Sequence, residues 1–189
     1  LADRGLRMAL IEAHAPGVDS QPSYDDRGIA LAYGTRRIFD AIGVWSALES
    51  IVEPILDIHI SDRGHFGFTG LSAAEAGVPA LGYVVTAREL GRVLLARLHQ
   101  QGALDVIAPA RVVRFDDQGA EVRVEVERNG VMASLDCRLL VAADGGNSAI
   151  REQLGVPIQR CPEGQSAVVT NITPAKDQAT VSNERETDT

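Results

Sequence analysis

The spacing of apolar and polar residues changes several times along the chain, and each change indicates a different kind of element. Leu6-Arg7-Met8-Ala9-Leu10-Ile11 is a short apolar run that ends at Glu12. Such a run is typical of a buried parallel strand. The residues before it, Leu1 to Gly5, are typical of the end of a helix, with Gly5 as its C-terminal stop. The first twelve residues therefore predict a helix end followed by a parallel strand.

Two amphipathic helices are predicted from apolar residues at helical spacing. The first covers Thr35 to Ser50, and its apolar face would consist of Ile38, Ile42, Trp45 and Leu48. The second begins at Thr86 with a sequence of capping-box form and ends at Gly102. Its apolar stripe would consist of Leu90, Val93, Leu94 and Leu98.

Beyond the second helix the period changes to that of strands. Leu104 to Ile107 predicts another short strand, and three segments after it alternate apolar and polar residues: Arg111 to Phe115, Glu121 to Glu127 and Val131 to Cys137. Asn129-Gly130 lies between the last two and is a strong hairpin signal, because both turn positions need positive φ. A three-stranded antiparallel meander is predicted.

The next segment, Leu139 to Ala143, is apolar throughout, which predicts a strand buried on both faces. A glycine turn, Asp144-Gly145-Gly146, would end it, and a short helix from Ser148 to Leu154 would follow with Asn147 as N-cap. The complete order of elements predicts an α/β fold with an antiparallel insertion.

Composition and charge exclude several classes of protein. No apolar run approaches the roughly 18–20 residues that cross a bilayer. The net charge is −8, from 18 Lys and Arg against 26 Asp and Glu, which disfavours nucleic acid as a partner. Cys137 and Cys161 lack the spacing of a disulfide framework or a zinc site, so we expect no metal and a reducing, cytoplasmic compartment.

Glu12 and the Asp144-Gly145 turn are the first candidates for chemistry. A carboxylate at the end of a strand in a βαβ unit can accept hydrogen bonds from both hydroxyls of an adenosine ribose. The partner glycine loop would lie about 20 residues upstream, before residue 1. Asp144 and Gly145 would reach the sheet edge where ligands collect, beside a helix start. The alternatives are a solvated charge at Glu12 and an ordinary turn at Asp144.

Arg27 and Arg88 are the second pair of candidates. The planar guanidinium of Arg27 suits an anionic group, although an ion pair with Asp25 or Asp26 is the structural alternative. Arg88 lies in the first turn of its predicted helix, where acidic residues are preferred, and this mismatch favours an external anion. By contrast, Ser61, Asp62 and His65 are too close in sequence to predict a catalytic triad. The glycosylation sequon at Asn171 is interpreted as chance.

In their order along the chain, four segments resemble the FAD-dependent aromatic hydroxylases: Ala9-Leu10-Ile11-Glu12, Asp26-Arg27-Gly28-Ile29-Ala30-Leu31, Thr86-Ala87-Arg88-Glu89-Leu90 and Val141-Ala142-Ala143-Asp144-Gly145. Two further segments, Ile58 to Gly67 and Ala80 to Val85, are most similar to the hydroxylases of ubiquinone biosynthesis that act on 2-octaprenyl-6-methoxyphenol. The resemblance extends over nearly the whole chain.

The resemblance implies a role for each candidate residue. Glu12 would bind the adenosine ribose of FAD, Arg27 and Arg88 would lie near its pyrophosphate and ribityl chain, and Asp144 and Gly145 would serve both FAD and NAD(P)H. In such enzymes NAD(P)H reduces the flavin, which then uses O2 to hydroxylate an electron-rich phenol ring. The cofactor carries this chemistry, so no catalytic side chain is predicted.

The resemblance also implies a domain organisation. Residues 1–54 and 86–157 would form a Rossmann-like FAD-binding domain with the meander, lacking its first strand and glycine loop, and residues 55–85 and 158–189 would form part of a substrate-domain β-sheet. The chain is thus expected to be an internal fragment, inactive by itself and a poor binder of FAD. The charged tail Ser182 to Glu186 makes a properly paired last strand doubtful.

Three alternative functions stay open from the sequence. They are a related flavin hydroxylase of another aromatic substrate, a non-catalytic interaction domain that retains the fold, and, least supported, a hydrolase. A polyprenyl phenol substrate would imply access to the inner membrane or to a biosynthetic complex from the cytoplasm, and the oligomeric state stays open.

Overall fold

The computed structural model describes residues 5–15, 25–159, 161, 164, 168–172, 175 and 180–186. These residues form eleven strands and five helices. The strands are β1 (Met8–Ile11), β2 (Gly28–Ala32), β3 (Glu53–Ile55), β4 (Asp57–Asp62), β5 (Phe68–Ser72), β6 (Gly82–Thr86), β7 (Leu104–Ile107), β8 (Arg111–Asp117), β9 (Val122–Arg128), β10 (Val131–Cys137) and β11 (Val181–Glu186). The helices are α1 (Tyr33–Ala41), α2 (Trp45–Leu48), α3 (Ala73–Ala76), α4 (Ala87–His99) and α5 (Ala149–Gln153).

The chain divides into two compact units. Unit 1 comprises residues 1–21 and 101–168, and unit 2 comprises residues 22–100 and 169–189. Helices together with parallel and antiparallel strand pairs confirm the predicted α/β class. The predicted division into an FAD-binding part and a substrate part is a functional one and stays a prediction. The predicted helix end at residues 1–4 lies outside the described residues.

Unit 1 contains the parallel strand pair that the apolar runs predict. β1 pairs with β7 in parallel, with Met8 opposite Leu104 and Ile11 opposite Ile107. The pairing continues one residue beyond β1, because the Glu12 amide donates to the Ile107 carbonyl at 3.1 Å. The Glu12 carbonyl in turn accepts from the Ala110 amide at 2.8 Å. The backbone of Glu12 is therefore anchored at the carboxyl edge of this pair.

The antiparallel meander is also confirmed. β8, β9 and β10 pair in sequence order, and the hairpin turn between β9 and β10 has Asn129 at φ 53° and Gly130 at φ 78°. Positive φ at both positions is what a two-residue hairpin turn requires. One face of the meander supplies the core of unit 1, where Val124 and Val126 are each 2% exposed.

The prediction of a buried strand over Leu139 to Ala143 is wrong. These residues form no strand in the structure, and Leu139 and Val141 are 75% and 68% exposed. A strand buried on both faces needs a neighbour for its ladder and elements over both faces. In the described part of unit 1 the parallel sheet consists of β1 and β7, and neither pairs with this segment.

The helix after the glycine turn is present, but its N-cap lies one residue later than expected. α5 begins at Ala149, and Ser148 rather than Asn147 is the cap, with its Oγ accepting from the Arg151 amide at 3.0 Å. The helix ends before Gly155, which has φ 64°. The observed end at Gln153 lies one residue before the predicted end at Leu154.

In unit 2, the single helix predicted over Thr35 to Ser50 is two helices. Gly43 separates α1 from α2 with φ 70°, a left-handed conformation that ends a helix. The break rotates the later residues relative to α1, so Trp45 and Leu48 are buried while Ile38 and Ile42 are exposed. The expected common face of these four residues is therefore wrong.

The second predicted helix is confirmed. Thr86 is the N-cap of α4 and its side chain accepts from the Glu89 amide at 3.2 Å. The helix ends at His99, three residues before Gly102. Its Val93 is buried in the core of unit 2, which contains Val44, Trp45, Leu48 and Val93.

Two three-stranded sheets complete unit 2, in the orders β2-β6-β3 and β11-β4-β5. All six residues of β11 pair in parallel with β4, from Val181 opposite Asp57 to Glu186 opposite Asp62. The doubt that the charged tail raised about this strand is thereby removed. Among the described residues, no helix is long and apolar enough to span a membrane.

Candidate functional site

Glu12 lies where a ligand of an open α/β sheet is expected, just past the carboxyl end of β1. Its side chain is 39% exposed, and its Oε1 accepts from the backbone amide of His14 at 2.9 Å. The ring Nδ1 of His14 lies 3.3 Å from the same oxygen. The carboxylate is thus anchored at one oxygen and accessible to solvent. It can accept hydrogen bonds from the hydroxyls of a bound sugar.

Asp144 follows the exposed segment and faces the start of α5. Its Oδ2 accepts from the Ile150 amide at 3.4 Å. The pKa of Asp144 is lowered from its usual value, chiefly by the hydrogen bond from the Ser148 hydroxyl. Asp144 is therefore ionised at neutral pH. As a carboxylate it accepts hydrogen bonds, which suits sugar or ribityl hydroxyls and opposes direct contact with a phosphate.

Gly145 and Gly146 give the turn after Asp144 its shape. Gly145 has φ 81°, which side chains rarely tolerate, and a Cβ added there would meet no atom of the described structure within 4 Å. The Gly146 carbonyl accepts from Arg151 at 2.7 Å and so ties the turn to α5. The turn is open on the side that a Cβ of Gly145 would occupy. The amides of Ile150 and Arg151 at the helix start are taken by Asp144 and Ser148.

In unit 2, Arg27 and Arg88 both form ion pairs with acidic residues of one loop. The Nε of Arg27 lies 2.6 Å from an Asp25 oxygen, and the Nε of Arg88 lies 2.9 Å from Asp26 Oδ1. The ion pair that we gave as the structural alternative for Arg27 is therefore present, and the charge of Arg88 has an internal partner. Ion pairs this exposed contribute little to stability. They can be exchanged for an anionic ligand at small cost.

The register of β2 and β6 explains why these residues meet. Gly28 lies opposite Thr86, so the residues before β2 lie beside the first turn of α4. The Arg27 carbonyl accepts from the Ala87 amide at 2.9 Å, and the Asp25 carbonyl accepts from the Arg88 amide at 2.8 Å. Carbonyl groups of the loop thus accept hydrogen bonds from two main-chain N–H groups at the start of α4. An anion near α4 would have to bind arginine side chains instead.

The five predicted residues fall in both units. Glu12, Asp144 and Gly145 belong to unit 1, whereas Arg27 and Arg88 belong to unit 2. Within unit 2 the structure brings the two arginines to one loop, as their ion pairs with Asp25 and Asp26 demonstrate. The convergence of both groups on one cofactor stays a prediction from the resemblance.

Three contacts around these residues were missed from the sequence. His14 contacts the Glu12 carboxylate, Ser148 lowers the pKa of Asp144, and the Asn171 side-chain amide donates to the Asp26 carbonyl at 2.7 Å. His14 and Ser148 are close in sequence to their partners, so turn chemistry could have suggested them. The Asn171 contact joins residues 145 positions apart, and no local pattern predicts it.

Within the residues that the structure describes, no group of three or more His, Cys, Asp or Glu side chains could hold a metal ion. The His65 Nδ1 lies 2.6 Å from Asp62 Oδ2, and the two side chains are 70% and 40% exposed. This is an ordinary surface contact between two side chains.

Comparison with protein families places the chain with flavoproteins. The model of the FAD binding domain family matches residues 1–188. The ubiquinone hydroxylase UbiL of Rhodospirillum rubrum is 34% identical over 178 residues, which are 91% of this chain and 39% of that protein. The 3-demethoxyubiquinol 3-hydroxylase of Escherichia coli is 25% identical over 91% of this chain and 44% of its own length. The chain thus spans about two fifths of the length of these curated relatives.

Solved structures agree on the fold. The p-nitrophenol 4-monooxygenase PnpA of Pseudomonas putida matches 82% of this chain and 38% of its own, with a TM-score of 0.69 at 17% identity. Aklavinone-11 hydroxylase, solved with FAD and aklavinone, matches 82% of this chain and 31% of its own, with a TM-score of 0.62 at 25% identity.

Proposed function

Since the chain belongs to the FAD binding domain family, we propose that it works in an FAD-dependent monooxygenase of ubiquinone biosynthesis. The reaction would hydroxylate a polyprenylated phenol with NAD(P)H and O2. The observation that carries this proposal is the family match over residues 1–188, combined with the anchored carboxylate of Glu12 at the sheet edge. When bound, FAD supplies the redox chemistry, and the protein positions it and excludes water.

The residues of unit 1 fit the sugar portions of such a cofactor. The Glu12 carboxylate is accessible and anchored at one oxygen, which suits an adenosine ribose. Asp144 is ionised and Gly145 leaves open space beside it, which suits the hydroxyls of FAD or of NAD(P)H. These residues would bind and orient the cofactor and would transfer no proton themselves.

The arginines of unit 2 fit its anionic portion. Arg27 and Arg88 form partly exposed ion pairs that a pyrophosphate can replace, because such pairs are weak in water. Guanidinium groups bind phosphate oxygens in a bidentate manner. Asp25 and Asp26 would hold the two side chains in place until the pyrophosphate binds.

The proposed substrate is inferred from the names of the relatives and not from the geometry of the site. Two of them are named as ubiquinone hydroxylases and a third as a 3-demethoxyubiquinol 3-hydroxylase. The alternative is a flavin hydroxylase of another aromatic compound, which the names of the p-nitrophenol and aklavinone enzymes favour. A polyprenyl tail is strongly apolar, so we also propose peripheral contact with the cytoplasmic side of the inner membrane or with a partner that carries the lipid.

The test uses the protein as its gene encodes it. After incubation with FAD and desalting, it should retain the visible absorption of a flavin. Under air, a short-chain polyprenyl phenol should accelerate its oxidation of NADH or NADPH and yield a hydroxylated product by mass spectrometry. Flavin binding with turnover of p-nitrophenol but not of the polyprenyl phenol would favour the alternative substrate. A colourless protein would exclude the monooxygenase and favour a non-catalytic interaction domain.

Glu12→Gln tests the assignment of the ribose. Loss of the charge should raise the Kd for FAD about tenfold, since hydrogen bonds to a charged group contribute about 1.5–3 kcal/mol. The Kd for FMN, which has no adenosine, should not change. Fluorescence titration of the apoprotein measures both constants. Equal weakening of FAD and FMN would contradict the role given to Glu12.

A further inference from the structure

His14 lies two residues after Glu12 and contacts its carboxylate twice. Its backbone amide donates to Oε1 at 2.9 Å, and its ring Nδ1 lies 3.3 Å from the same oxygen. In the described part of the chain, both hydrogen bonds to this carboxylate are made at Oε1. The other oxygen, Oε2, keeps two acceptor positions.

These contacts restrict a side chain that is otherwise mobile. A glutamate has several rotatable bonds, and a ligand that binds it must overcome the loss of their freedom. The Glu12 backbone is held by Ile107 and Ala110, and His14 holds the far end of the side chain. The Glu12 side chain is therefore held both at its backbone and at its carboxylate before any ligand binds.

We propose that His14 is a positioning residue for the adenosine ribose, acting through Glu12. By occupying Oε1, it leaves Oε2 with one acceptor position for each ribose hydroxyl. The inference rests on the proposed function, because it deepens the role of Glu12 in holding FAD. His14 itself would not touch the cofactor's reacting atoms.

Substitution of His14 in the protein as its gene encodes it tests this role. His14→Ala keeps the backbone amide and removes the ring. We expect the Kd for FAD to rise about 3-fold, because the Glu12 side chain would lose one contact that restricts its rotamers before FAD binds. The Kd for FMN should stay unchanged. His14→Asn retains an N–H donor near the position of Nδ1 and should restore most of the affinity for FAD.

A matched control is available in unit 2. His65 is also an exposed histidine paired with a nearby carboxylate, that of Asp62 at 2.6 Å. His65→Ala should leave both Kd values unchanged. In all variants, fluorescence titration of the apoprotein gives the constants, and a melting curve confirms that the protein is folded.

The outcomes separate the two proposals. If the unsubstituted protein binds no FAD, the proposed function fails. If it binds FAD and Glu12→Gln weakens this binding, but His14→Ala does not, the positioning role fails while the proposed function stands. Equal losses for FAD and FMN in His14→Ala would also overturn the positioning role, since a general structural effect would explain them.

Discussion

Two neighbouring regions of unit 1, the meander and the segment after it, differ in how well their pattern predicts their structure. The alternating residues of β8, β9 and β10 form the strands and the hairpin turn that the pattern predicts. The apolar run from Leu139 to Ala143 predicts a buried strand with equal clarity, yet it forms no strand and is exposed except at the half-buried Leu140.

The difference lies in where each region finds its partners. In the meander each strand pairs with the next one along the chain, and a two-residue turn sets the register. A parallel strand has no such local partner, because its neighbours come from distant parts of the sequence. An apolar run thus indicates a tendency to be buried, and the tertiary structure decides whether burial occurs.

A pair of valine substitutions should sharpen this comparison most. Val124→Asp places a charge in the core of unit 1 and should cost about 4 kcal/mol or more, which is enough to abolish its cooperative unfolding transition. Val141→Asp makes the same change at an exposed position and should alter the free energy of unfolding by about 0.5 kcal/mol or less. Urea denaturation of the 189-residue chain measures both, and equal losses would contradict the exposure of Val141.

A pair of glycine substitutions should have a smaller effect. Gly130→Ala forces a side chain into the left-handed turn of the hairpin and should cost about 1–2 kcal/mol. Gly146→Ala, in the turn after the apolar segment, should change the free energy of unfolding by about 0.5 kcal/mol or less. A Cβ at Gly146 would meet no atom within 4 Å. Thermal denaturation measures both losses of stability. A larger loss for Gly146→Ala than for Gly130→Ala would contradict the role of the left-handed turn in stabilising the hairpin.

Among the three substitutions expected to destabilise the chain, the one at the cap of α5 should have the smallest effect. Ser148→Ala removes the N-cap and should cost about 1 kcal/mol. It should also raise the pKa of Asp144 toward its usual value, since the Ser148 hydroxyl is the chief cause of the lowered pKa. A carboxyl titration by NMR measures this shift. An unchanged Asp144 pKa in the variant would exclude the hydrogen bond from Ser148.

The same residue gives stability a defined pH dependence. The pKa of Asp144 is lower in the folded chain than its usual value, so its ionisation favours the folded state at pH values above that usual value. This contribution is lost as the pH falls through the folded-state pKa. Ser148→Ala should therefore reduce the loss of stability that the chain undergoes on acidification.

Part of the candidate site follows from local sequence. The short apolar run ending at Glu12 correctly predicts β1, and the capping sequence at Thr86 correctly predicts the start of α4. The contacts of the site residues could not be predicted in the same way. The pairing of Arg88 with Asp26 depends on the register of β2 and β6, which joins residues far apart in sequence.

The sequence by itself determined the elements whose signals are local: the meander with its Asn129-Gly130 turn and the capped helix α4. Its motifs also determined the family, which the comparison over residues 1–188 confirms. Only the tertiary structure decided that the helix predicted at Thr35 breaks at Gly43 and that most of the segment from Leu139 to Ala143 is exposed. The break at Gly43 changes which side chains face the core, and the exposure of the apolar segment depends on which surfaces meet in space. Burial is a property of neighbours, and a local pattern records only the preference for it.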